Sequence, residues 1–339
     1  MSEKQLTLKQ QLSICQQIAR LIRAKLPISG ALSEMARATV SADPAVAVDR
    51  QVTDGKSLAD AVAGDESRDS RVLAACIKSG EISNTLGENL ESWTSTHIAN
   101  SKSSKALQSA MVYPLLLILV TIVSLASVVW QIVPQYREYY ELFHQEMPVW
   151  LDAICYVREK LAFFLVLFVV LSVLPLVIWF FRRQRFDRTG LPKDRVKRFR
   201  MQALASEVAS RMLNAGAPIE RVATLSTQAA GATPQQSSAA FESIQQRLCV
   251  PALAQESSML LASTHCGVMD SGEAAQNLEQ VARHLRNRAD VTSSRNARWL
   301  PMLVAICVGL LTILAYLFLI YLPWVYLLQR IVATENYSN

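Results

Sequence analysis

The sequence predicts an all-α polytopic membrane protein with three transmembrane helices and two homologous cytoplasmic helical bundles. Three observations carry that prediction. Ala106–Tyr136, Leu161–Phe181 and Trp299–Gln329 contain no Asp, Glu, Lys or Arg, and at about 1.5 Å per residue each is long enough to cross a hydrocarbon core of roughly 30 Å. The polar stretches between them place apolar residues at helical spacing. Those polar stretches also resemble one another.

Charge orders the chain across the bilayer. Met1–Lys105 holds 13 basic and 12 acidic residues, Arg182–Arg298 holds 17 and 10, and the stretch from Pro134 to Lys160 holds 3 and 5. Lys102, Lys105, Arg182, Arg183, Arg185, Arg295 and Arg298 abut the span ends on one side, and Lys and Arg flanking spans stay cytoplasmic. The expected organisation is a cytoplasmic bundle (1–105), a span (106–134), a short outward loop (135–160), a span (161–181), a second bundle (182–298) opened by a basic linker (182–200), a span (299–328) and an outward tail (329–339). The N-terminus is then cytoplasmic and the C-terminus periplasmic. The first thirty residues are amphipathic and charged without a continuous apolar core, so no cleavable signal peptide is expected.

In the first block, Leu8, Leu12, Cys15, Ala19, Ile22 and Leu26 form one helical stripe, with Thr7 and Gln10 as a capping box and Pro27 as its end. A second helix carries Ile28, Leu32, Met35 and Ala36. Asp54-Gly55 marks a turn, and Ser57 caps a short helix from Leu58 to Val62. Val72, Leu73, Cys76 and Ile77 make another apolar face, which Ser79-Gly80 is expected to break. The last helix starts near Thr85 with Glu88 as capping partner and carries Leu86, Leu90, Trp93 and Ile98. No Pro or Gly interrupts Thr94–Ser104, so one long helix is expected to run from the bundle into the bilayer.

The linker Arg182–Arg200 holds nine Arg or Lys against two Asp. Directly after a span it reads as an inside anchor touching anionic lipid head groups rather than nucleic acid. Beyond it, Met201, Leu204, Val208 and Met212 form a stripe ending at Ala215-Gly216-Ala217-Pro218. Thr233, Pro234 and Gln236 open a further helix with Pro at its first position, followed by Phe241, Ile244 and Leu248. Val268, Met269 and Ser271-Gly272 bring another break.

Internal similarity unites the two blocks. Ala24–Leu32 (AKLPISGAL) resembles Ala215–Val222 (AGAPIERV), with Pro27 opposite Pro218. Gly80-Glu81 with Leu86 (GEISNTL) matches Gly272-Glu273 with Leu278 (GEAAQNL). Each copy runs into a span with a proline near its cytoplasmic end, Pro114 and Pro301. A third span, containing Pro175, restores the orientation between the copies.

With Gly80-Glu81, Gly272-Glu273, Tyr113-Pro114, Val133-Pro134, Met147-Pro148 and Tyr321-Leu322-Pro323 in place, the chain resembles the inner-membrane platform proteins of type II secretion and type IV pilus assembly systems, the type II secretion F-protein family. It departs from the family at Ser83-Asn84 and Ala274-Ala275, where a Ser-Gly pair usually follows Gly-Glu. The Gly-x-Ser-Leu element is present at Gly55–Leu58 but its counterpart near Val250–Leu253 lacks the glycine. The resemblance implies cytoplasmic six-helix bundles, homo-oligomerisation, contact with a cytoplasmic hexameric assembly ATPase, with pilin or pseudopilin transmembrane helices and with other inner-membrane assembly proteins. No cofactor, metal or nucleic acid is implied.

The residues themselves argue against enzymatic chemistry. No GxxxxGK[ST] phosphate loop occurs. His97, His144, His265 and His284 lack metal-ligand spacing, no GxSxG elbow is present, and the spans hold no carboxylate pair. Polar span residues such as Thr121, Ser124, Ser127, Gln131, Ser172 and Thr312 are uncharged, which disfavours the alternative of an oligomeric transporter or channel component. The six cysteines include no CxxC pair and read as small buried apolar residues.

Two sets of residues are candidates for function. Glu81 and Glu273 either present carboxylates to a partner or cap the next helix, with Gly80 and Gly272 supplying a positive φ at the helix end. Pro114, Pro175 and Pro301 either set helix paths or open a groove for a pilin helix.

Overall fold

Helices form where caps and stripes meet, and their ends follow the turn chemistry closely. The structure, a computed structural model, describes residues 7–28, 30–31, 34, 42–63, 67–143, 194–246 and 248–338. The middle span with Pro175, most of the outward loop, the linker up to residue 193, Cys155 and most of the second helix of the first block lie outside the described residues.

In chain order the helices are α1 (Leu8–Arg23), α2 (Ala42–Thr53), α3 (Leu58–Ala63), α4 (Arg68–Ser83), α5 (Leu86–Leu142), α6 (Arg195–Asn214), α7 (Ile219–Ala229), α8 (Pro234–Gln245), α9 (Gln255–His265), α10 (Ser271–Tyr316) and α11 (Leu322–Ser338). Between α10 and α11 the chain keeps turning as a π-helix over Leu317–Tyr321. The capping boxes of α1 (Thr7, Gln10) and α8 (Thr233, Gln236) are formed as expected. Ser57 accepts the Asp60 N–H at 3.1 Å at the start of α3.

The chain divides into two compact units. The first draws on Met1–Ser103 and Arg183–Ser293, the second on Ser104–Arg182 and Ser294–Asn339. In the first unit both repeats contribute to one hydrophobic core. Ile14 and Ile18 of α1, Leu73 and Ile77 of α4, and Leu90 and Trp93 of α5 share it with Leu204 and Met212 of α6, Val222 of α7, Ile244 of α8 and Leu278 of α10. Helix α4 of the first repeat packs on α6 and α7 of the second, and Arg68 donates to the Ala230 carbonyl at 3.1 Å.

The repeat is visible in its bonds. Gln11 donates to the Val62 carbonyl at 3.3 Å, and at the matching positions of the second copy Gln202 donates to the Leu253 carbonyl at 3.2 Å. The ends of α1 and α6 also correspond. Leu26 N–H returns to Leu21 and Ala217 N–H to Met212, each across a residue with positive φ, Lys25 at 55° and Gly216 at 73°. The copies differ in burial: α1 hides one face, whereas α6 is buried along nearly all of Met201–Leu213.

In the second unit, α5 continues to Leu142 and passes through both Pro114 and Pro134, so the helix outruns the span end expected at residue 134. Likewise α11 carries helix through the stretch read as a tail, as far as Ser338. Two helical runs among the described residues, Leu86–Leu142 and Ser271–Gln329, are long and apolar enough to cross a membrane. They expose large apolar side chains including Leu115, Leu119, Val123, Leu303, Ile306 and Leu310, which suits a hydrocarbon environment.

Candidate functional site

The two Gly-Glu pairs occupy different places. Gly80 and Glu81 sit in the last turn of α4, which runs on to Ser83, so the break expected at Ser79-Gly80 does not occur. The left-handed residue that ends α4 is Asn84, with φ 54°; its short polar side chain tolerates that conformation better than most. Gly80 instead allows close packing, because a Cβ there would lie 2.6 Å from Leu86 Cα. Neither Gly80 nor Gly272 has positive φ, correcting the expectation that they supply it.

Gly272 and Glu273 lie in the first turn of α10. There the Gly272 N–H donates to the Asp270 carboxylate at 3.1 Å, and Glu273 is where a carboxylate favours the helix dipole. Glu81, exposed at the C-terminal end of α4, is at the opposite pole of its helix. The two Gly-Glu pairs thus fall on opposite sides of a helix break, one at the end of α4 and the other at the start of α10. Leu86 is partly buried and Leu278 fully buried against the shared core, so both leucines serve as packing anchors.

Pro114 and Pro301 are buried residues inside α5 and α10, and both helices continue through them. Each removes the amide donor that would have served the carbonyl four residues earlier, at Ala110 and Ala297. Farther along, Leu322 N–H reaches back five residues to the Leu317 carbonyl, and the shifted bonding is accompanied by side-chain partners. Tyr136 hydroxyl donates to the Ile320 carbonyl at 3.1 Å and Tyr140 hydroxyl to the Pro323 carbonyl at 3.3 Å. Ser124 and Tyr316 pair through their hydroxyls. An open apolar groove of about 500 Å³ lies beside the π-helix, lined by Tyr316, Leu317, Ile320, Tyr321 and Trp324.

Sequence reasoning missed a charged cluster centred on α6. Arg200, assigned to the lipid-facing linker, is 5% exposed; it donates to the Asn100 side-chain oxygen at 3.1 Å and to Asp290 at 2.8 Å. Arg211 donates to the Asn89 side-chain oxygen at 2.6 Å and to Ser92 Oγ at 3.1 Å, and pairs with Glu88 at 3.3 Å. Buried Glu207 is bonded by Arg286 at 2.7 Å and lies 3.8 Å from Arg211. Arg200, Glu207 and Arg211 recur at helical spacing, and because α6 is enclosed along most of its length their charges are paired inside the fold.

The cysteines divide. Cys15 and Cys76 are buried as expected, and burial pushes the Cys76 thiol up to about 12 and the Cys15 thiol higher still. Cys249, Cys266 and Cys307 are exposed, against the expectation of buried residues throughout. Among the described residues no group of three or more His, Cys, Asp or Glu is placed to hold a metal ion.

The protein is all-helical, with a compact unit drawn from both repeats and, among the described residues, two helical runs long and apolar enough to cross a membrane. Residues 14–134 match the family described as type II secretion system protein F. The matched stretch holds Gly80-Glu81 and Tyr113-Pro114, two of the motifs on which the resemblance rested. A type 4 fimbrial assembly protein of Pseudomonas putida, PilC, is 29% identical over 135 residues. The alignment covers 39% of this chain and 34% of the relative, so it spans about a third of that protein's length.

Proposed function

We propose that the chain is a non-enzymatic inner-membrane platform of a type IV pilus or type II secretion machine. In this reading it couples a cytoplasmic hexameric assembly ATPase to the extraction and assembly of pilin or pseudopilin subunits. The observation that carries the reading is the family match, which runs from α1 through the apolar part of α5 and so takes in the first repeat's share of the core and the first candidate span. The relative's name, a fimbrial assembly protein, supports the same direction.

The remaining features fit. No phosphate loop occurs in the sequence, so nucleotide-driven force has to arrive from another protein. Basic residues flanking the spans favour a multi-pass arrangement with both repeats cytoplasmic. The middle span, homo-oligomerisation and contacts with other inner-membrane assembly proteins and lipid belong to the proposal.

Deleting the gene tests it. Surface filaments or secreted substrate should be lost while pilin level in the membrane and ATPase turnover stay normal, and the intact gene should restore assembly. Unchanged assembly in the deletion strain would overturn the reading.

A further inference from the structure

Arg200 and Arg211 are eleven residues apart on α6, about three helical turns, so both arise on one side of the helix. Their partners on α5, Asn100 and Asn89, are also eleven apart and run in the opposite order. Two contacts to α10, Arg200 with Asp290 and Glu207 with Arg286, also run in reversed order. Helix α6 is thus cross-linked at two levels to α5 and at two levels to α10. Those are the two helices whose later residues enter the apolar runs.

Apolar packing around the small residues of α6, such as Ala203, Ala205 and Ala209, fixes distance better than register, because it lacks direction. A buried charge network fixes register, since sliding by one turn would leave Glu207 or Arg200 buried and unpaired. Replacement of such a network by apolar side chains is often tolerated for stability. What such a network adds over apolar packing is register rather than stability.

We propose that Arg200, Glu207 and Arg211 are the coupling residues of the platform. They clamp α5 and α10 together so that a displacement of the helical unit reaches both membrane-entering helices at once. The proposal rests on the platform reading for its purpose, but the clamp itself is measurable without it.

The test uses the full-length protein in lipid nanodiscs, with spin labels at exposed Ser95 of α5 and Asn287 of α10 and the native cysteines replaced by serine. In the wild-type background the label-to-label distance should form one narrow distribution. The triple variant Arg200→Met, Glu207→Leu, Arg211→Met should keep its melting temperature, broaden that distribution at least twofold, and reduce filament assembly at least tenfold in cells. A narrow distribution in the triple variant would overturn the clamp, as would wild-type assembly alongside a broad one.

Should the triple variant fail to fold, the charge exchange decides. Arg200→Asp alone should broaden the distribution and lower assembly, and adding Asp290→Arg should restore both. Failure of the exchange to improve on the single variant would overturn the proposal. If deletion of the whole gene leaves assembly intact, the platform reading fails, and the width of the distance distribution alone then supports or overturns the clamp.

Discussion

Gly80 of α4 lies so close to Leu86 at the start of α5 that a Cβ on the glycine would stand 2.6 Å from the leucine Cα. The matching Gly272 would meet only the Asp270 carboxylate, at 3.2 Å. Identical motifs therefore carry different loads. Gly80→Ala should destabilise the protein by about 1–3 kcal/mol through forced backbone movement. Gly272→Ala should be neutral, or stabilising by up to roughly 1 kcal/mol, because alanine is the better helix former. Thermal unfolding of the two variants side by side checks the asymmetry.

The paired helix ends offer a second contrast. Lys25 holds the left-handed conformation that Gly216 occupies in the other copy. A left-handed residue other than glycine costs roughly 1–2 kcal/mol, partly offset by the entropy glycine loses on folding. Lys25→Gly should accordingly raise stability by roughly 0.5–1 kcal/mol, and Gly216→Ala should lower it by about 1 kcal/mol. Melting curves that move the other way would contradict the shared helix-end geometry.

His97 makes stability depend on acidity. It is buried beside Trp93 with ring centroids 4.5 Å apart, and its pKa is held below the ordinary value chiefly by burial. Arg68 and Lys197 also lower it, while Asp69 opposes them. As pH falls, the unfolded chain therefore takes up this proton first. The contribution of neutral His97 is complete above the unfolded value of about 6.5 and is lost progressively below it. Replacing it with Phe should flatten the fall in stability between about pH 6.5 and 5, where one such group contributes at most about 1.4 kcal/mol per pH unit. Parallel acid titrations of wild type and His97→Phe decide this.

Thiol reactivity should sort the cysteines by burial. Cys249 and Cys266 are exposed, whereas Cys15 and Cys76 are buried with raised pKa values. Because the thiolate is the reactive form, a soluble alkylating reagent at neutral pH should label the first pair within minutes and the second pair only on denaturation. Mass spectrometry of the labelled peptides reads the result.

Much of this architecture was legible because local chemistry agreed with the fold. Thr7 and Gln10, Ser57, Thr233 with Pro234, and Gly216 each mark a helix boundary that the chain adopts. The uncharged runs Ala106–Tyr136 and Trp299–Gln329 announced the two apolar helical runs among the described residues. Gly80 was misread because glycine at the end of an apolar stripe has two uses, positive φ and close approach, and only the neighbouring backbone of Leu86 selects between them. Arg200 was misread because it adjoins the basic linker in sequence, while its partners Asn100 and Asp290 are remote along the chain. The shared core was not legible either: periodicity on α4 shows that Leu73 and Ile77 are buried, not that residues of α6 and α7 help to bury them.

If the chain is the proposed platform, force made elsewhere passes through it to subunits in the membrane. Photo-crosslinking in living cells tests it most directly, with a photoreactive residue placed in turn at exposed sites of the helical repeats, such as Glu81 and Glu273, and at apolar-run sites such as Tyr113 and Met302. Repeat positions should capture the assembly ATPase, and apolar-run positions should capture pilin or pseudopilin. Capture of a transport component at these positions, with neither ATPase nor pilin, would contradict it.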